Sequence, residues 1–355
     1  MVEFNRNQLC YNTIKGGIIF PLILMLSLST TAQKESYNWM FGSRAGITFN
    51  TTTPSALTSS QMDVIAGCAT ISDSAGNLLF YTNGVEVWNK NNIRMPNGYG
   101  LKGDPVRSTQ SAIIIPKPSS KDIYYIFTVD ASFHDPGDPP AGLNYSIVDL
   151  TANNGLGDVI QKNTSLNPYA FEKITACIHK NNNDIWVVSR QFFNAKYVAY
   201  LVTSSGVSSV AVESPSLIYY ALNEWVKGYL RFDPSGKMLI DVGAYDDNEL
   251  SYFDYSTGII QPIFKFFVPL QSYGTEFSPE SKFLYITGLN STINQILQYD
   301  LSNLDPVVFK NSYRIISNFE GGAIQGAPDG KLYVAREDTD WLGVINQPSL
   351  YDTSC

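Results

Sequence analysis

Histidine is nearly missing from this chain: of 355 residues, only His134 and His179 carry an imidazole. That excludes a metal centre built on several histidines and leaves a Ser-His-Asp arrangement little to work with. Cysteine is equally thin. Cys10 falls in the leading segment, and the remaining Cys68, Cys177 and Cys355 are odd in number and show no CxxC spacing, so neither a disulfide framework nor a zinc or redox pair is expected. Cys68 in "AGCATIS" and Cys177 in "TACIHK" read as buried free thiols. Charged residues reach only 16%, against about 25% in an average soluble domain. The marked apolar run, residues 18–28, is shorter than the ~20 residues that span a bilayer, so no transmembrane segment is expected in the mature chain. Basic residues number 24 against 32 acidic ones, a net charge of −8. Such a surface repels phosphate backbones, so no nucleic-acid partner is expected.

Aromatic residues, by contrast, are abundant, with 22 Tyr and 19 Phe, a bias that suits the pleated, half-buried surface of strands. The leading segment has the layout of an export signal: Arg6 and Lys15 precede the apolar run, and Thr30, Thr31 and Ala32 offer small residues for cleavage. Residues 1–32 are therefore expected to be a signal peptide, and the mature chain to begin near Gln33 with 22 basic and 31 acidic residues. No Cys follows the run closely enough for a lipid-modified terminus.

Two stretches about ninety residues apart, "FDPSGKMLIDVG" and "GAPDGKLYVARE", repeat one plan: a turn residue, Pro, Gly-Lys, then a strand. Four further segments share the wider layout of a short apolar strand, a turn rich in Pro, Asp, Ser or Gly and a strongly apolar strand: "ATISDSAGNLLFYT", "AIIIPKPSSKDIYYIFTV", "CIHKNNNDIWVVS" and "EFSPESKFLYIT". Turn markers at Gly76, Ser120, Asn183, Gly236, Ser281 and Gly330 are spaced by 44, 63, 53, 45 and 49 residues, periods that suit a four-stranded blade. Each copy is followed by a second hairpin arm, "VEVWN", "NYSIVDL", "VAYLVT", "LSYFDY", "ILQYDL" and "LGVINQ". Such sheets cover one another when stacked about an axis, which predicts an all-β fold, a β-propeller of four-stranded antiparallel blades. Six copies plus the N-terminal strands "NWMF" and "GITF" make seven blades the expected count, with residues 33–355 as a single domain. The closing blade is expected to be begun by the N-terminus and finished by strands beyond Cys355, so that the domain is truncated at its C-terminal end.

The longest spacing holds two insertions, residues 130–142 and 151–172, expected as loops on the propeller faces. The first carries His134, Asp135 and Asp138, the candidate binding residues; Pro136, Pro139 and Pro140 equally describe a stiff surface loop. His179 beside "KNNND" reads as an exposed turn residue. In "AYDDNEL", Asp246, Asp247 and Glu249 group hard oxygen ligands and are the candidates for a metal. No spaced loop with a central Gly supports them, and a solvated hairpin tip is the preferred reading. No cofactor and no catalytic residue is expected.

The phrases "NWMFGSRAGITFN", "GCATISDSAGNLLFYTNGVEVWNKN", "MPNGYGLKG", "STQSAIIIPKP", "EKITACIH", "TEFSPESKFLYIT" and "LGVINQP", in this order, resemble the N-terminal propeller module of large secreted Bacteroidetes proteins. In that family the propeller precedes immunoglobulin-like or PKD repeats and a gliding-motility-associated, type IX secretion sorting domain. The resemblance implies an exported, extracellular or outer-membrane-associated location, and the family supplies no catalytic residues to transfer. Two function classes follow. The favoured one is a non-enzymatic binding module meeting a glycan or protein ligand at a propeller face; the alternative is a hydrolase or lyase with a carboxylate-based site in the central channel.

Overall fold

The computed structural model describes residues 34–131, 141–192, 194–219, 227–243, 248–268, 271–288, 295–318, 321–336 and 339–355. Within them the chain makes seven antiparallel sheets, taken here as blades 1 to 7 in chain order. Blade 1 is β1 (Asn38–Phe41), β2 (Ala45–Thr48) and β3 (Ser55–Leu57); blade 2 is β4 (Ala69–Ser72), β5 (Leu78–Thr82) and β6 (Val87–Asn89). Blade 3 is β7 (Ala112–Pro116), β8 (Ile123–Val129), β9 (Leu143–Asp149) and β10 (Asp158–Asn167). Blade 4 joins β11 (Ala170–Ile178), β12 (Ile185–Gln191) and β13 (Lys196–Thr203), with β14 (Gly206–Val207) and β15 (Val212–Pro215) both pairing β13. Blade 5 is β16 (Leu230–Phe232), β17 (Met238–Asp241), β18 (Asn248–Asp254) and β19 (Ile259–Phe266). Blade 6 is β20 (Ser272–Phe277), β21 (Phe283–Gly288), β22 (Gln295–Asp300) and β23 (Arg314–Ser317), and blade 7 is β24 (Ile324–Gly326), β25 (Leu332–Val334) and β26 (Gly343–Ile345). The chain is a seven-bladed β-propeller. Blades 1, 2 and 7 have three strands instead of the expected four.

Burial explains why the second strand of each repeat is a continuous apolar run. β8, β12 and β21 are buried at nearly every position, because both faces of a mid-blade strand pack against neighbouring blades. The outer strand β19 alternates between buried and exposed positions instead. Between blades 5 and 6, Leu250, Phe264, Phe266, Phe277, Leu284 and Tyr299 form one apolar cluster with Phe309 from the short helix Pro306–Asn311. Comparable clusters fill each of the other seams between blades consecutive in the chain. Blades 1 and 7 meet differently, through an edge-to-face group in which the ring centroids of Trp39 and Phe49 lie 5.8 and 5.5 Å from Tyr333.

The repeated turns follow one geometry. A residue with positive φ stands in each copy: Gly76, Ser119, Asn182, Gly236, Ser281 and Gly330. In two copies it falls one residue before the marker taken from the sequence, and in three it is not glycine. The turn is held from its first residue, as where the Asp233 carboxylate accepts from the backbone N–H groups of Lys237 and Met238 at 2.8 and 2.7 Å.

One expectation needs correction. Residues 151–172 are not a face loop: most of the stretch is β10, which pairs with β9 as the outer strand of blade 3, and the start of β11. Ser55–Leu57 also supplies blade 1 with a third strand that the sequence reading missed. The unpaired edge of β1 is covered by side chains, with Thr70 Oγ1 2.9 Å from the Met40 nitrogen and Cys68 Sγ donating to the Met40 carbonyl.

Candidate functional site

The first strands of adjacent blades lie side by side around the axis, and four of them, β11, β16, β20 and β24, enclose a cavity of about 550 Å3. It opens at the end of the channel that carries the repeated turns. Residues 233–236 and Ala327 form part of its rim, with Pro279 and Lys331 beside them. The turn that betrays the repeat in the sequence therefore also builds the mouth of the cavity.

Two charged side chains reach into it from neighbouring inner strands. Arg231 lies between Leu230 and Phe232, which turn into the blade interface, so its own side chain faces the axis. Its Nη2 is 3.3 Å from Glu276 Oε2, with the side chains 25% and 10% exposed. The Glu276 carboxylate is otherwise engaged by main chain: Oε1 accepts from Phe277 N at 3.1 Å and Oε2 from Gly326 N at 3.0 Å. Asp233, at the rim, accepts from Ser235 and Ser281 hydroxyls at 2.6 and 2.7 Å besides its two turn bonds. The acceptors are thus largely used, while donors are not. Arg231 Nε has no partner, and no acceptor meets Lys331 Nζ among the described residues. Cys177 also lines the cavity, and burial, reinforced by Asp233, pushes its thiol up to about 12. It stays a neutral thiol at physiological pH, not a nucleophile.

A second ionic group lies sealed at the opposite end of blades 4 and 5. Lys173 Nζ is 2.6 Å from Asp241 Oδ1 and donates to the Val242 carbonyl at 2.6 Å; Arg190 Nε is 2.9 Å from Asp241 Oδ2. All three side chains are fully buried. The Arg190 guanidinium lies 4.3 Å from the Tyr197 ring centroid, and the Tyr197 hydroxyl donates to Glu249 at 2.9 Å. Burial lowers the Lys173 pKa against the opposing pull of Asp241, and burial raises that of Tyr197 well above its ordinary value. These fully buried groups tie blades 4 and 5 together.

Of the residues singled out in the sequence, His134, Asp135, Asp138, Asp246 and Asp247 lie outside the described residues. Glu249 is described, and the reading of it as part of a solvated hairpin tip is overturned. It sits in β18 opposite Asp241 and is fully buried. Its oxygens accept from Tyr197 and Ser251 hydroxyls, the Ser216 hydroxyl at 2.8 Å and Leu217 N at 2.6 Å, which uses its acceptor capacity without a metal. Among the described residues no three His, Cys, Asp or Glu side chains are grouped to hold a metal ion. His179 is half-buried, its Nδ1 accepting from Asn181 N and its Nε2 3.1 Å from the Ser256 carbonyl, so it ties a turn of blade 4 to blade 5. Arg231, Glu276 and Lys331 were missed. The signal was available: aligned on their turns, "LRFDP", "TEFSP" and "IQGAP" place Arg231, Glu276 and Gln325 at the same position of the inner strand.

The fold and the channel-mouth cavity define a propeller of seven small antiparallel blades. No family model and no curated protein matches the chain. Solved structures do. The β-propeller domain of Myceliophteria thermophila Cps50 (Swd1) superposes with a TM-score of 0.50 at 9% identity, over 88% of this chain and 97% of that one. A putative 6-phosphogluconolactonase from Bacteroides uniformis gives 0.48 at 11% identity, over 84% and 86%. Kuenenia stuttgartiensis hydrazine synthase gives 0.49 at 10%, over 92% and 99%. Of these, only the likeness to the Cps50 propeller, at 0.50, bears on this chain, and at such identity it speaks to the fold alone. No helix among the described residues is long and apolar enough to cross a membrane.

Proposed function

We propose that this chain is a non-enzymatic binding module, exported to the cell surface or the medium, that takes a glycan or protein ligand at the turn-bearing face of the propeller. One observation carries the reading: the cavity's carboxylates are held by hydrogen bonds and an ion pair, so neither stands free to act as a base. A general base must be free to take a proton from its substrate. Glu276 instead accepts from two main-chain N–H groups and faces Arg231. A site of this kind grips a ligand and leaves it unchanged. The hydrolase or lyase alternative would need Glu276 released from all three partners.

Export is supported by the charge, apolar-run and small-residue pattern of residues 1–32. The surface location and the type IX route are supported by the resemblance to secreted Bacteroidetes propellers. The test is binding of the exported chain to glycan arrays and to solubilised surface proteins, run beside hydrolase and lyase panels. Saturable binding without turnover is expected. Turnover abolished by Glu276→Gln would replace this reading with the enzymatic one. Mass spectrometry of the exported protein should place its N-terminus near Gln33, and an intact Met1 form would remove the export reading.

A further inference from the structure

We infer that the channel-mouth cavity takes the primary carboxamide of an Asn or Gln side chain on a protein partner, held by the main chain of β11 and β16. This rests on the binding-module reading above and selects protein over glycan within it. The chain carries its own copy of the contact. Gln110, just ahead of β7, reaches past β11 to β16 and lays its carboxamide against main chain. Its Oε1 accepts from Leu230 N at 2.8 Å and from Ile174 N at 3.3 Å, and its Nε2 donates to the Leu230 carbonyl at 3.1 Å.

Strand register explains why these groups are available. The main chains of Tyr229 and Asp233 bond to Val242 and Met238 in the next strand of blade 5, so the residues between them, Leu230 and Phe232, turn their N–H and C=O toward the channel. In β11 the His179 N–H bonds to Asp184 in the same way, which turns Ile174 and Ala176 to the channel. Gln110 uses Ile174 and Leu230. Two residues further along each strand, a step of about 6.6 Å, Ala176 and Phe232 repeat the set, and both line the cavity. Among the described residues nothing bonds to the N–H and C=O that these two present there, and such main-chain groups call for a partner.

The set selects its ligand. A primary carboxamide fills it, because its oxygen accepts twice and its NH2 donates beside that oxygen. The acetamido group of an amino sugar is a secondary amide, planar and trans, with N–H and C=O on opposite sides. It meets the donors or the acceptor, not both. A carboxylate brings no donor for the Phe232 carbonyl. Of protein and sugar chains, it is the protein that carries primary carboxamides, on Asn and Gln. A cavity of about 550 Å3 lies in the range of small-ligand pockets and admits such a side chain.

The test follows the main-chain amide signals of the exported chain by two-dimensional NMR during titration with the capped peptide acetyl-Ala-Gln-Ala-N-methylamide, its Met and Glu counterparts, and N-acetylglucosamine. The Gln peptide is expected to bind at least fivefold tighter than the other three and to shift the Ala176 and Phe232 signals most. Ala176→Pro removes one of the donors at a position outside the ladder and should weaken the Gln peptide several-fold while leaving the Met peptide unchanged. If that variant does not fold, the titration of the parent decides. Equal binding of the Met or Glu peptide, N-acetylglucosamine binding as tightly, no saturable binding, shifts confined to other parts of the propeller, or indifference to Ala176→Pro in folded protein would overturn the inference. Ligands found on glycan arrays or among surface proteins despite that result would leave the binding-module reading standing, whereas failure of both would remove both.

Discussion

Lys173, Arg190 and Asp241 at the sealed end of blades 4 and 5 and Arg231 with Glu276 at the turn-bearing end of blades 5 and 6 are built from the same chemistry, yet they do different work. The first group is fully buried with contacts of 2.6 and 2.9 Å; the second keeps a quarter of its arginine exposed and a contact of 3.3 Å. A buried pair has given up its hydration and depends on every partner staying in place. A pair with one partner partly exposed keeps water as an alternative partner for that side chain. Burial, more than residue type, separates the charges that build the propeller from those available to bind.

Removing the centre of the buried group should have the largest effect. Asp241→Ala would strand Lys173 and Arg190 without their shared carboxylate, and breaking a buried pair in this way costs about 3–5 kcal/mol, a large part of the ~5–15 kcal/mol that a domain has. Denaturant titration should show the midpoint falling accordingly. A loss below ~1 kcal/mol would mean that water reaches this group and that the contrast between the two ends is false.

The seam between blades 1 and 7 offers an intermediate case, because it relies on ring contacts instead of charge. Tyr333 touches Trp39 and Phe49 and donates from its hydroxyl to Asp329 at 2.8 Å. Tyr333→Ala should destabilise by about 3 kcal/mol, the lower end for a large aromatic truncation, and Tyr333→Phe by about 1 kcal/mol for the lost hydrogen bond. Amide exchange should quicken first in β1 and β2, since that face of blade 1 loses its cover. Uniform quickening across all blades would show that the ring opens as a whole.

At the open end, Arg231→Gln should cost stability only about 0–1 kcal/mol, as expected for a partly exposed pair. Thermal melts check this. A loss as large as that of Asp241→Ala would make Arg231 a structural residue and undo the distinction on which the site rests.

The architecture was legible because it is periodic. A turn chemistry repeated six times fixes hairpins, and the alternation of apolar runs with turns fixes their stacking. What the sequence hid depends on contacts distant along the chain. Glu249 looked like the end of an acidic tip in "AYDDNEL", but its partners Tyr197 and Ser216 lie 52 and 33 positions away. Ser55–Leu57 is a strand only because β2 offers it an edge; its own residues alternate too briefly to announce it. Arg231 and Glu276 passed as ordinary strand residues because each is isolated in its repeat, and they meet only when the blades close around the axis.

The smallest effect expected concerns a fully solvated charge, the limit of the same comparison. Asp254 caps the turn between β18 and β19, where its carboxylate accepts from the Ser256 hydroxyl at 2.6 Å and from Ser256 N at 2.9 Å. These bonds, the Ser256 hydroxyl foremost, hold its pKa below the ordinary carboxylate value. A carboxyl depressed by folding adds stability above its unfolded pKa of about 3.9 and loses that contribution as pH falls through the folded value. Asp254→Asn keeps a side-chain oxygen for the turn and removes only the charge. The variant should melt slightly below the parent at pH 7, by no more than about 0.5 kcal/mol for an exposed site. The gap should narrow as pH drops below ~4, where the parent's carboxyl begins to take up its proton. Differential scanning calorimetry from pH 7 to pH 2 would follow it. A gap that stays constant through that range would mean that the charge contributes nothing and that the turn is held by geometry alone.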